Sequence, residues 1–390
     1  MLPILKRFRR KTPLAWHQIM KQKTRLAVAL AGIAFADILM FIQMGMLEAL
    51  YDSATQPHRL LQADLVLLNP QAKSILGIPS FPRQRLYQAS GYEGVAAVSA
   101  LYSGTGSWRN PETRLNRELQ IFGVDPTHPP FTFLQDSDQL KQLKLLNRGL
   151  FDQLSNEKFG PIPNLIQQRG KVTTEVNGKQ FQAVGVFSLG ASFGAEGNLI
   201  TGTSSFLTLF PDRSPDQIDI GIVQLRSGAD ARNVQSQLQA GLPTDVKVLT
   251  KAEFIQLERQ YWGEGGTGFI FNLGAVVGFI VGTVIVYQIL YTDVSDHLPE
   301  YATLKAMVYS DRYLTGVLAQ EILVLAILGF IPGFFLSIGL YQITYAATFL
   351  PVVMKTGRAV FVFFLTLAMC SGSGLIALGK LRSADPADIF

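Results

Sequence analysis

"FIFNLGAVVGFIVGTVIVYQILY", residues 269–291, carries no charged side chain over its whole length. A helix of about 20 such residues, rising 1.5 Å per residue, crosses the roughly 30 Å hydrocarbon layer of a bilayer, so the stretch reads as a transmembrane span. The same test picks out four spans in all, at 26–51, 268–292, 314–347 and 359–379, the third long enough to tilt or bend at Pro332. Composition agrees: the 390 residues are 48% hydrophobic and 16% charged, against about 25% charged in a typical soluble domain. The first apolar run far exceeds the roughly 7–15 residues of a signal-peptide core and lacks a convincing cleavage site, so it is expected to stay in the mature chain.

Basic residues set the expected orientation. Lys6, Arg7, Arg9, Arg10, Lys11, Lys21, Lys23 and Arg25 precede the first span with no acid among them, which holds the amino-terminal segment 1–25 in the cytoplasm. An even number of spans returns the carboxyl-terminal tail, 380–390, to the same side, and Lys380 and Arg382 agree. The charge beside a first span is what orientation and anionic lipid require, and does not argue for nucleic acid.

That topology places residues 52–267 outside the cytoplasm, enough for a folded domain. Strand-like runs occur at 64–68, 118–124 and 218–225. Residues 171–176 and 180–187 flank Asn177-Gly178, a dipeptide that favours a type I′ hairpin. Residues 227–242 read as a helix with Asp230 near its start, followed by a strand at 246–250 and a helix at 251–261. The expected fold is therefore a polytopic α-helical membrane protein, four transmembrane helices with a large α+β periplasmic domain between the first and second. The proline-rich stretches 76–84 and 125–131 fit no element. The single cysteine, Cys370, lies in the fourth span, so the domain relies on its own core and not on a disulfide.

Catalytic motifs are missing. The chain has no G-x-x-x-x-G-K-[ST] and no H-E-x-x-H, and its four histidines, His17, His58, His128 and His297, are far apart in sequence. No catalytic, cofactor or metal site is expected on this chain.

Gly274, Gly278 and Gly282 recur every four residues in the second span, and Gly32 and Ala36 share that spacing in the first. Such faces let two helix backbones approach closely, either within the chain or across a dimer seam. Asp37 falls near mid-bilayer, where an unpaired charge costs at least about 2.5 to 3.5 kcal/mol. A proton or substrate role and a structural hydrogen bond are both open for it. Glu321, near the start of the third span, is expected at the interface.

Between the second and third spans lies a short amphipathic segment, 293–313. Pro299 suits a first helical turn, Glu300 sits near its positive end, and Tyr301, Leu304 and Val308 share one side while Lys305 lies elsewhere. Its weak charge suits protein contact better than an anionic lipid surface.

"EYATLKAM" (300–307), the large domain between the first two spans and the closing "SADPADIF" (383–390) together resemble the FtsX-like permeases of MacB-type ABC transporters. Within that family, "PLAWHQIMKQKTRLAVALAGIAFADILMFIQMG" (13–45) is similar to the DevC-like permeases of cyanobacterial exporters. The resemblance covers essentially the whole chain. It implies that 293–313 is a coupling helix contacting a separate ATPase through Glu300, Tyr301, Thr303, Leu304, Lys305 and Val308. Val308 departs from the family, in which glycine often follows the K-A-M or R-A-L core.

The resemblance further implies a homodimer in a bacterial inner membrane. Its partners would be an ABC ATPase subunit that holds ATP and Mg, a periplasmic membrane-fusion adaptor and, through the adaptor, a TolC-like outer-membrane channel. Asn177 and Gly178, expected as an exposed hairpin tip, are candidate adaptor contacts. Mechanotransmission would drive export of envelope glycolipid or a similar hydrophobic substrate. An FtsX-like regulator of a periplasmic cell-wall hydrolase and a motor-independent receptor stand as alternatives.

Overall fold

The computed structural model describes residues 23–296 and 311–383. The chain divides into two compact units: one comprises Met1–Glu48, Phe269–Ile343 and Val352–Phe390, the other Ala49–Gly268 and Thr344–Pro351. The second unit is the inserted domain.

Its elements begin where α1 (Lys23–Arg59) ends, and run through β1 (Leu65–Leu68), β2 (Phe81–Pro82), α2 (Gln84–Ser90), β3 (Val95–Arg109) and β4 (Asn116–Val124). Next come α3 (Ser137–Leu143), β5 (Arg148–Asp152), α4 (Ile162–Arg169), β6 (Val172–Val176), β7 (Lys179–Phe187), β8 (Asn198–Gly202) and α5 (Thr203–Leu209). The domain closes with β9 (Gln217–Ile218), β10 (Ile220–Leu225), α6 (Ala231–Gly241), β11 (Lys247–Thr250) and α7 (Lys251–Glu264). Among the described residues, nine strands form one sheet in the order β11-β1-β10-β3-β4-β8-β5-β7-β6.

One half of that sheet is a pair of split βαβ units. β10 pairs antiparallel with both β1 and β3, so β1 and β3 are parallel, and α2 connects them. β1 likewise pairs antiparallel with β10 and β11, which α6 connects. All four β1 residues are buried, because both faces of this half are covered. Leu65 and Leu67 pack with Leu86 of α2 and Leu238 of α6, whereas Val66 and Leu68 share the opposite core with Leu61 and Phe254. Strands buried on both faces lose the alternation of polar and apolar residues, leaving short apolar runs as their sequence signal.

The other half curls back on itself. β3 is long enough to pair with β10 through its first part and with β4 along Leu101–Arg109, and Trp108 also pairs with Val176 of β6. Strands β3, β4, β8, β5, β7 and β6 thus form a closed ring around Trp108, Phe151, Phe159 and Phe181. The proline-rich stretch 76–84 holds β2, which pairs with β9, and the beginning of α2. Asp230 caps α6, and Thr250 and Glu253 form a capping box at the start of α7, local signals that a sequence displays directly.

The first unit is helical. α1 is joined by α8 (Gly266–Asp296), α9 (Asp311–Thr348) and α10 (Thr356–Ser383). Among the described residues, these four helices are long and apolar enough to cross a membrane. The fold is a four-span membrane protein with a large α+β domain between the first and second spans. The apolar run of the first span ends near Leu50 but its helix runs on to Arg59, and α9 runs unbroken through Pro332. Glu321, in the first turn of the candidate span Ala319–Thr348, is buried, with 5% of its surface accessible.

Candidate functional site

α1 is the axis of the membrane unit, and two of its faces are built differently. One face packs on α8 in antiparallel register. A Cβ on Gly32 would lie 2.6 Å from Ile285, one on Gly282 2.5 Å from the Ala36 methyl, and one on Gly278 3.2 Å from Leu39. Gly274 abuts Gln43 in the same way. Real Cβ atoms do not approach so closely at the first two positions, so only glycine there leaves room for the facing Ile285 and Ala36 side chains. The small-residue face of α8 is therefore filled by this chain's own α1 and is not free for a second copy.

The other face of α1 carries Asp37, Phe41, Gly45 and Glu48, spaced by four, four and three residues, and meets α9 and α10. Gly329 and Gly333 of α9 lie against Ile33 and Asp37; a Cβ on Gly333 would stand 2.8 Å from that of Asp37. The order of these contacts makes α1 parallel to α9 and antiparallel to α8 and α10. Asp37 is fully buried, and Thr366 Oγ1 of α10 lies 2.6 Å from its Oδ1. The same hydroxyl is 2.9 Å from the Val362 carbonyl, while Asp37 Oδ2 has no hydrogen-bond partner among the described residues. Two arrangements satisfy this geometry. Either Thr366 donates to a carboxylate, or a protonated carboxyl donates to Thr366, whose own hydroxyl hydrogen is donated to the Val362 carbonyl.

Three turns further along α1, Glu48 joins the start of α10. Lys355 Nζ lies 2.7 Å from Glu48 Oε1, and Arg358 binds Glu48 Oε2 through both Nε, at 3.1 Å, and Nη2. Arg358 is buried and also donates to the Tyr341 hydroxyl at 2.9 Å, and that hydroxyl donates to the Phe41 carbonyl. Gly45 makes room for the Tyr341 ring. At the opposite end of the bundle Arg25 pairs with Asp296, joining the start of α1 to the end of α8. Each end of the bundle thus carries an ionic clasp, and the Asp37–Thr366 contact lies between them.

Sequence reading found Asp37 because an acid inside an apolar run stands out. It missed Thr366, Glu48, Tyr341 and Arg358, whose partnerships depend on the register between helices. Arg358 immediately before an apolar run was the one available signal, and it reads equally well as an interfacial cation.

Of the predicted coupling segment, 293–296 belong to α8 and 311–313 to α9; Glu300, Tyr301, Thr303, Leu304, Lys305 and Val308 lie outside the described residues. The Asn177-Gly178 turn adopts the expected positive φ angles of 49° and 72°. It is not a free tip, however. Asn177 Oδ1 accepts from the Ser107 N–H at 2.7 Å and its Nδ2 donates to the Leu209 carbonyl at 3.1 Å, which pins the turn to β3 and α5 and leaves only Gly178 exposed.

Within the inserted domain, the tail of α1 is held by a buried carboxylate. Glu258 of α7 accepts from Ser74 Oγ at 2.7 Å, the Ile75 N–H at 2.8 Å and Trp262 Nε1 at 2.8 Å, and His58 Nε2 stands 3.3 Å away. Burial pushes the Glu258 pKa up, but His58, Ser74 and the Ile75 N–H together hold it below the ordinary carboxylate value.

Residues 272–386 match the family described as FtsX-like permease C-terminal. That stretch contains α9, α10, most of α8 and the predicted coupling segment. No curated protein matches the chain. Among solved structures, the periplasmic region of MacB from Actinobacillus actinomycetemcomitans is similar over 51% of this chain and 94% of its own, at 13% identity and a TM-score of 0.36. The extracellular domain of the noncanonic ABC-type transporter YknZ from Gram-positive bacteria is similar over 48% and 99%, at 15% identity and a TM-score of 0.33.

Proposed function

We propose that this chain is the membrane-spanning permease subunit of an ABC-type exporter, and that it transmits motion from a separate cytoplasmic ATPase to the inserted domain. The observation that carries this reading is the packing of α1 on α8, most of which lies in the region that matches the FtsX-like permease C-terminal family. α8 leads into segment 297–310, it packs along α1 with Gly274, Gly278 and Gly282 tight against Gln43, Leu39 and Ala36, and α1 continues without a break to Arg59. A closely packed helix pair moves as one body, since the interior of such a contact does not compress. Displacement of the segment after α8 would then be passed to the helix that enters the inserted domain.

On this reading the chain lies in the inner membrane with both termini cytoplasmic and the inserted domain periplasmic. ATP and Mg are bound by the partner ATPase. The permease works as a homodimer, with a membrane-fusion adaptor and a TolC-like channel continuing the path outward. The resemblance of residues 13–45 to DevC-like permeases supports an envelope glycolipid or a similar hydrophobic molecule as cargo. With the glycine face of α8 occupied by α1, the homodimer would form through other surfaces.

Glu300 and Lys305 test the coupling. Glu300→Lys and Lys305→Glu are expected to lower permease-dependent ATPase activity by about tenfold each, the effect of losing about 1.4 kcal/mol at a contact, with membrane insertion unchanged. Unaltered ATPase activity in both variants would remove these residues from the motor interface.

A further inference from the structure

The inserted domain holds a cavity of about 460 Å³, inside the roughly 300–1,000 Å³ range of small-molecule sites. It is lined by α3 and its cap, by β5 and β7, and by the turn from α4 to β6. Two backbone features shape it. Where β5 and β7 run parallel, Gly149 faces Ala183 and Leu150 faces Gly185, so Val184 bulges from the ladder into the lining. α4 ends at Gly170, whose φ of +74° favours glycine and whose N–H donates to the Ile166 carbonyl at 2.8 Å. That reversal brings Arg169, the last residue of α4, and Lys171, just before β6, to the same cavity.

The charges around the cavity do not cancel. Arg148 of β5 donates through Nη1 to Gln142 Oε1 of α3, a neutral amide that orients the guanidinium and leaves its charge uncompensated. Among the described residues, Arg148, Arg169 and Lys171 form no ion pair, whereas Arg59, Arg85, Arg109, Lys158 and Arg213 of the same domain each do. Two carboxylates also line the cavity. Asp138 is paired with Lys141, whose Nζ lies 2.7 Å from its Oδ1, and Asp136 caps α3 by accepting the Asp138 N–H at 2.9 Å. With Lys141 included, four cations stand against two carboxylates, an excess of two positive charges. Gln139, Gln142, Gly170 and Val184 complete the lining and add no charge.

That excess selects the ligand. A neutral or zwitterionic molecule would leave it standing, and a single carboxylate would balance half of it. A phosphate monoester carries about −1.5 to −2 charge near neutral pH and presents three acceptor oxygens, which arginine forks match in geometry. The volume exceeds that of a lone ion, which leaves Asp136 and Gln139 to meet hydroxyl groups.

We propose that this cavity binds a phosphate monoester of a small polyhydroxylated molecule, with the phosphate among Arg148, Arg169 and Lys171 and the hydroxyl groups toward Asp136 and Gln139. Neither these residues nor their chemistry depends on the exporter reading.

The test is calorimetric titration of the full chain, in phosphatidylcholine nanodiscs at physiological salt, with glucose 6-phosphate. Binding is expected, with none for glucose and at least about tenfold weaker binding for glucuronate and for succinate, a dianion whose charges are apart. Arg148→Gln and Lys171→Gln should each weaken glucose 6-phosphate binding about tenfold, and Arg148→Lys, which keeps the charge but loses the fork, by less. Asp136→Asn, which still caps α3, should tighten it. An unchanged tryptophan-fluorescence unfolding transition shows that each variant folds. Phosphatidic acid, itself a phosphate monoester, distinguishes the sources: weaker glucose 6-phosphate binding in nanodiscs that contain it supports a lipid source, and unchanged binding a soluble one. No binding of glucose 6-phosphate, equal binding of succinate, or folded Arg148→Gln and Lys171→Gln variants that bind as the parent does would overturn the proposal.

Discussion

Asp37 and Thr366 meet across the membrane unit, and the same hydroxyl reaches the Val362 carbonyl. An asparagine at position 37 reproduces either hydrogen-bonding arrangement, whereas alanine leaves Thr366 with its backbone acceptor alone. Asp37→Ala is therefore expected to destabilise the bundle by about 0.6 to 2 kcal/mol, the range of interhelical hydrogen bonds in membranes, and Asp37→Asn by less, as measured by unfolding in mixed micelles. Equal losses with both would assign the role to ionisation. Glu258 makes a prediction in pH. Its pKa is held below the ordinary carboxylate value in the folded domain, so it contributes stability that is present above the unfolded pKa and is lost as pH falls through the folded one. Glu258→Gln should lower stability by about 1.5 to 3 kcal/mol at neutral pH and flatten the acid limb of the unfolding curve. Trp108 and Trp262, both in the inserted domain, supply the fluorescence signal. At this scale the sequence showed a buried acid because it broke an apolar run. Glu258 was invisible: it sits in a polar helix, and only the fold brings His58 and Ser74 to it.

The helix pair α1–α8 is the element on which the functional reading depends. Its four-residue spacing of small side chains was legible in sequence, because close approach of two backbones leaves no alternative residue types. Whether the seam lay within one chain or between two was not legible, since both arrangements need the same residues. The packing of Gly282 on Ala36 assigns it within the chain. Ala36→Cys combined with Gly282→Cys, in a Cys370→Ser background, is expected to form an intramolecular disulfide on oxidation in membranes, with a monomeric band on non-reducing gels. A crosslinked dimer would contradict the packing. The inserted domain shows the same division between local and non-local signals. Caps and the Asn177-Gly178 turn were readable from neighbouring residues. The ring closure of β3 onto β6, and the pinning of Asn177 by Ser107 and Leu209, join residues far apart in sequence and have no local signature.

The molecule as a whole joins a region that matches the FtsX-like permease C-terminal family to a large α+β domain through a continuous helix, and the proposed function is that an external motor drives it. The class of the fold was legible because long apolar runs admit few alternatives in a bilayer. The motor, by contrast, was suggested by "EYATLKAM" (300–307) taken together with the large domain between the first two spans and the closing "SADPADIF" (383–390). The most direct measurement is photocrosslinking in native membranes from a photoreactive residue placed at Thr303, with captured proteins identified by mass spectrometry. The account predicts capture of an ABC ATPase subunit, reduced when Glu300 or Lys305 is reversed in charge. A Thr303 probe shown to be cytoplasmic that captures no ATPase would contradict it.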